Sequence, residues 1–237
     1  MKKIVSLLLL VCLILSFSNF AFALNESKEF NINGNLFSSD EILNSQKTFE
    51  KYFQKGESIL AGNTRDTWAT LNVPLLLQRD SRWENEEFPC GHTTFGEKGC
   101  GMTAYSMVLN SYGFTTTPVT VAQTYSNNGS RDCCTFSSST LIQDYYGRSV
   151  ESVPNVRSKT YSQIKTAIIG ALADGYPVVV KVDSTNSYPT HFVVCYAYVI
   201  TTTGDIKISI RDPWGTYTYL DQYNNRSQEP ISVVFVK

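Results

Sequence analysis

Apolar positions along this chain follow two rhythms in succession. From Gly101 to Tyr112, Ala104, Met107, Val108 and Tyr112 recur at helical spacing, and Gly113 offers a left-handed stop. Thr117-Pro118 opens a second helix, with proline at the first helical position, running to about Ser126. A third is predicted over Thr140 to Tyr146, stopping at Gly147. Thr160-Tyr-Ser-Gln163 has the form of a capping box; Ile164, Ala167, Ile168, Ala171 and Leu172 share the face behind it, and Gly175 closes the helix. After that the period shortens. Pro177 to Val182, His191 to Ile200, Ile206 to Arg211 and Ile231 to Val236 are short, rich in β-branched and aromatic residues, and separated by polar turns. The pattern predicts an α+β fold in which a helical part precedes an antiparallel sheet.

The N-terminal third differs from the rest. Met1 to Ala23 has a basic start at Lys2 and Lys3, an apolar run from Ile4 to Leu15, and Ala21-Phe22-Ala23 as a small-x-small cleavage site. That is the layout of a secretory signal peptide, and it predicts a secreted, extracellular mature protein. Leu24 to about Thr70 is polar, with one expected helix from Ser39 to Leu60 that carries Lys47, Glu50, Lys51 and Lys55. Two readings stand for it: a pro-segment that covers a site until removed, or an N-terminal extension of the main domain. Residues 71–237 form the expected globular domain.

Composition narrows the function classes. The chain has 237 residues, 42% hydrophobic, including 14 Tyr and 13 Phe, so it can bury a sizeable core. Its formal net charge is −1, and the two leader lysines are part of that balance. No basic surface for nucleic acid or anionic lipid is expected, and no integral membrane segment follows the leader.

Cys100 lies between Gly99 and Gly101 where a loop turns into the first predicted helix. Unpaired backbone N–H groups and the positive end of the helix dipole favour thiolate there, and flanking glycines let the backbone approach a substrate carbonyl. The Cys100 N–H could then donate to a developing oxyanion. The chain has only two histidines, so a Cys-His catalyst must use His92 or His191. His191 begins one strand and Asp212 ends the next, across the turn from Thr201 to Asp205. An antiparallel hairpin brings those ends to within about three residues of opposite, with a bulge or skew left to close the gap. Asp212 could then hold the imidazole in one tautomer. His92, in the loop Cys90-Gly-His-Thr-Thr, reads as a surface residue. Gln78, at the end of an apolar run, is a candidate amide donor to an oxyanion.

The series VPLLLQRDSRW, GCGMTAYSMVLNSYG, THFVVCYAY and RDPWG resembles the motif order of papain-like cysteine peptidases, in the branch of bacteriocin-processing, double-glycine-leader peptidases. It covers about Val73 to Gly215. The resemblance implies a papain-like fold whose helical lobe bears the cysteine and whose sheet bears the histidine and aspartate. It also implies Cys100 as nucleophile, His191 as general base and acid, Asp212 as the orienting residue and Gln78 as oxyanion donor. Gln78 lies 22 residues before Cys100, farther than the family pattern, so Asp80 to Gly99 reads as an insertion. The sequence shows no P-loop and no spanning helix, so the double-glycine specificity is not carried over.

The remaining cysteines allow two arrangements. In an exported protein Cys90 could pair with Cys133 or Cys134; alternatively Cys90, His92, Cys133 and Cys134 have ligand types suited to zinc, at unusually tight spacing. Cys195 shares strand parity with His191 and reads as a core residue. The expected activity is hydrolysis of amide bonds in a peptide or protein, a cell-wall peptide included, through a thioester acyl-enzyme and without cofactor or metal. The rivals are an acyl transferase or cross-linking enzyme using the same residues, and a non-enzymatic surface-binding module.

Overall fold

A computed structural model describes residues 31–32, 35–36, 38–91, 93–127, 137, 140–183, 190–224 and 230–237. The chain divides into two compact units, Met1–Asn44 and Ser45–Lys237. In the first, β1 (Asn31–Ile32) and β2 (Asn35–Leu36) pair antiparallel. The signal-peptide segment and the Asn128 to Cys134 loop lie outside the described residues.

The second unit follows the predicted order of helices and strands with additions. Helix α1 (Ser39–Ala61), which begins before the unit boundary, is followed by β3 (Thr67–Thr70), α2 (Phe95–Lys98), α3 (Cys100–Ser111) and α4 (Pro118–Asn127). A π-helical turn, Thr140–Asp144, stands where an ordinary helix to Tyr146 was expected. Next come β4 (Val150–Val153), α5 (Tyr161–Ala173), β5 (Val178–Asp183), β6 (Thr190–Ile200), β7 (Ile206–Arg211), α6 (Asp221–Asn224) and β8 (Pro230–Val236). The capping box of α5 forms as predicted: Thr160 accepts from the Gln163 N–H, and the Gln163 side chain accepts from the Thr160 N–H. Gly175 takes φ +86° just past the helix end.

The six strands β3 to β8 form one sheet, with path β3-β6-β5-β8-β4 and β7 against β6. All pairings are antiparallel. β6 is long enough to pair β5 along Thr190–Cys195 and β3 along Ala197–Ile200, with β7 on its other edge. The expected order of helices before strands holds for α3, α4 and α5 followed by β5 to β8, but β3 precedes α3 and β4 precedes α5 in the same sheet. In space, the helices cover both faces of the sheet. Val180, Val182, Val193, Cys195, Val233 and Phe235 face one core with Phe49 and Tyr52 of α1 and Ile164 to Leu172 of α5. Val179, Val194, Val234 and Val236 face a second with α3, α4, Trp83, Phe88 and Phe95. A strand buried on both faces reads as an uninterrupted apolar run, which is what Val178-Val-Val180 is.

Residues 45–70, set apart in sequence as an extension or pro-segment, belong to the same compact unit as the rest. Phe49 and Tyr52 of α1 are 2% and 0% exposed, and Thr67–Thr70 is a strand of the sheet. Among the described residues, no helix is long and apolar enough to cross a membrane.

Candidate active site

The site begins with a bulge. β6 and β7 pair from Ile200↔Ile206 to Ala197↔Ser209; the register then shifts, and the ladder ends Cys195↔Ile210, Val194↔Arg211. The extra residue, Tyr196, shortens the offset that a straight hairpin would leave between His191 and Asp212. Asp212 follows the last paired residue, and its Oδ1 lies 2.7 Å from His191 Nε2. Both side chains are buried, at 0% and 1% exposure.

The turn Asp212-Pro-Trp-Gly215 surrounds that carboxylate with donors. The Gly215 N–H returns to the Asp212 carbonyl at 2.8 Å, with Gly215 at φ +68°. Oδ1 also accepts from the Trp214 N–H at 2.9 Å. Oδ2 accepts from the N–H groups of Thr216 and Tyr217 and from the Tyr223 hydroxyl at 3.0 Å. Burial pushes the carboxyl pKa up, but the His191 hydrogen bond and charge, with the Trp214 and Tyr217 N–H groups, outweigh it. The net shift is below the ordinary value of 3.8. A carboxylate can only accept, so Nε2 carries a proton, and Nδ1 is the ring nitrogen left to face other groups. Nδ1 is buried and has no hydrogen-bond partner among the described residues. The Trp214 ring stacks on the imidazole, centroids 3.7 Å apart and planes 17° apart, and shields the pair from water.

Cys100 is the first residue of α3, as the glycine-flanked pattern predicted, and is a free, half-buried thiol. Backbone groups of Phe192, Gly101 and Cys100 itself hydrogen-bond the sulfur and favour thiolate. Burial exceeds them, helped by the nearby Asp212 charge, and pushes the thiol up to about 11. The expected thiolate at the helix start is thus corrected for this state, because loss of water outweighs the helix-end donors. The contact to Phe192 joins the sulfur to the residue next to His191, although no hydrogen bond links the thiol to the ring.

Gln78 reaches the same region despite its distance in sequence. Its backbone N–H donates to Pro213 O at 2.8 Å, inside the turn that carries Asp212. Its Nε2 donates to Gly96 O at 3.0 Å, four residues before Cys100. The described residues between 80 and 99 fold back on themselves to allow this. Phe88 stacks on Phe95 at 4.2 Å, Trp83 Nε1 donates to Leu77 O at 2.9 Å, and Gly96 lies so close to Glu84 that a Cβ would meet its carbonyl oxygen at 2.8 Å. The side chain is 1% exposed, and its Oε1 has no hydrogen-bond partner among the described residues.

The model of the Peptidase_C39 like family matches residues 70–231. The chain belongs to that family. It is a papain-like cysteine peptidase family, and an α+β arrangement of helices with an antiparallel sheet agrees with it. A search of curated proteins returned no match. The match begins at the end of β3 and so leaves out α1, which the compact unit includes from Ser45.

Two neighbours of the site carried no role in the sequence reading. Trp214 sits within the quoted Asp-Pro-Trp-Gly, so its proximity to Asp212 was visible there. Tyr223 lies 11 residues beyond Asp212 in a polar stretch, and nothing in the pattern marks it. Cys90 is disulfide-bonded. Cys133, Cys134 and His92 lie outside the described residues, and with them the expected pairing and the zinc alternative. Cys195 is a free thiol in the core, 0% exposed.

Proposed function

We propose that this member of the Peptidase_C39 like family is a secreted hydrolase that cleaves peptide amide bonds with Cys100, His191, Asp212 and Gln78. The observation that carries the reading is the buried His191–Asp212 pair, whose remaining ring nitrogen has no hydrogen-bond partner among the described residues. Asp212 holds the imidazole so that Nδ1 accepts the Cys100 proton as the sulfur adds to the scissile carbonyl. Coupling the two steps suits a thiol whose burial keeps it protonated at neutral pH. The Cys100 N–H and the second hydrogen of Gln78 Nε2 then face the oxyanion. Protonated His191 gives its proton to the leaving amine, and the acyl group remains on sulfur as a thioester. His191 next takes a proton from water, whose oxygen attacks the thioester and releases the acid and the thiol.

The leader pattern supports export, and the Cys90 disulfide suits an oxidising compartment. The substrate is a peptide or protein, with cell-wall peptide among the candidates; the bacteriocin-processing branch is a likeness of motifs alone. Purified protein should hydrolyse a mixed peptide library, and Cys100→Ser and His191→Ala should each reduce turnover by about a thousandfold or more. Far-ultraviolet circular dichroism should match the parent in both. Retained hydrolysis in either folded variant would remove the proposed mechanism.

A further inference from the structure

Lys181 is a half-buried cation on the face of the sheet that carries α3. It pairs in register with Phe192 across β5 and β6. By strand alternation Lys181 shares a face with Val179, and Phe192 with Val194; both valines belong to the core beneath α3. The Lys181 ammonium lies 5.8 Å from the centre of the Phe192 ring, and Phe192 is the residue whose backbone reaches the Cys100 sulfur. The nucleophile and the lysine therefore border one stretch of β6.

Among the described residues, the ammonium makes no ion pair or hydrogen bond. Asp183, two residues along the same strand, is taken by Arg157. Burial lowers the Lys181 pKa, while the Asp183 charge, and that of Cys100 when ionised, oppose it. A cation partly removed from water and left without a counter-ion is costly in a resting fold. An incoming anion would complete the pair and offset that cost.

We propose that Lys181 is an anion-recognising subsite beside the scissile bond, which takes a carboxylate of the substrate. Resting on the peptidase reading, this gives the substrate class as peptides with an acidic side chain or a free C-terminal carboxylate near the cleaved bond. The neighbouring Phe192 ring, partly buried, offers an apolar surface next to the charge.

The test needs no cleavage. Cys100 in the full chain is alkylated with iodoacetate and with iodoacetamide, and the ratio of the two rates is measured by mass spectrometry for the parent, Lys181→Met and Lys181→Arg. The ratio cancels the thiolate fraction and reports only the field felt by the anionic reagent. Lys181→Met keeps the apolar stem and should lower the ratio about fivefold, while Lys181→Arg should retain it. Equal ratios in the parent and Lys181→Met would overturn the subsite. Three peptides then separate the carboxylate sources: a neutral amidated one, the same with glutamate near the cleaved bond, and the same with a free C-terminus. The selective loss of kcat/KM in Lys181→Met identifies which carboxylate is bound, and an unchanged selectivity for both overturns the assignment. If the parent cleaves none of them but keeps a Lys181-dependent reagent ratio, the peptidase reading fails and the anion site stands.

Discussion

Asp212 accepts five hydrogen bonds while almost wholly buried, and one donor, the Tyr223 hydroxyl, comes from a side chain that is itself 0% exposed. Burial and the Asp212 charge push the Tyr223 phenol up, so the hydroxyl stays a donor throughout the physiological range. Because folding lowers the Asp212 pKa, its contribution to stability is present above its ordinary value of 3.8 and is lost as pH falls through the lowered one. Tyr223→Phe removes a donor to the charged form and raises the folded pKa. The acid-unfolding midpoint should therefore move to higher pH, by up to about one unit, and stability at neutral pH should fall by about 1.5–3 kcal/mol. Circular dichroism across an acid titration reads the first effect and urea unfolding the second. An unchanged acid midpoint would mean that Tyr223 only fills space.

At the scale of elements, α1 and α5 meet at glycines. A Cβ on Gly170 would stand 2.1 Å from Tyr52 O, and one on Gly56 would stand 2.0 Å from Thr166 O. Neither obstacle is a flexible side chain end; both are helix backbone. Gly170→Ala should force the helices apart and cost about 1–3 kcal/mol in urea unfolding. Gly62→Ala, whose nearest atom would be 3.4 Å away, should stay within about 0.5 kcal/mol of the parent. If the two alanine variants unfold alike, the close crossing does not exist in solution. Lys51 and Lys55, read in sequence as part of a charged cluster, pair with Glu151 and Asp174 on the rim of the same packing. Such partly exposed pairs add little beside the buried face of Phe49 and Tyr52.

For the whole molecule, a sheet sandwiched between two helical layers depends on both of them. A chain beginning at Leu71 loses α1 and β3, strips Phe49 and Tyr52 from one core, and frees the edge of β6 over Ala197–Ile200. A chain beginning at Ser38 keeps them. The shorter chain should lack a cooperative thermal transition in circular dichroism, whereas the longer one should unfold in a single step. A cooperative transition in the chain from Leu71 would show that residues 45–70 are dispensable, as a removable pro-segment requires.

The local pattern alone determined the helix starts at Cys100, Pro118 and Tyr161, the four principal strands and the α+β class. Each depends on contacts within a few residues: a cap, a proline, a glycine stop, or alternation. The same pattern identified Cys100, His191, Asp212 and Gln78 as candidates and anticipated the irregularity in the His–Asp hairpin. Tertiary structure decided the rest. Which face of the sheet α5 covers follows from the dual burial of the central strands, and the fold of residues 80–99 that brings Gly96 to Gln78 follows from Trp83, Phe88 and Phe95 entering a core made by α3 and α4. The raised thiol pKa, the Tyr223 donor and the placement of Lys181 beside Phe192 are likewise set by solvent exclusion and by residues far away in the chain. Local spacing cannot encode those, because burial is a property of the assembled layers.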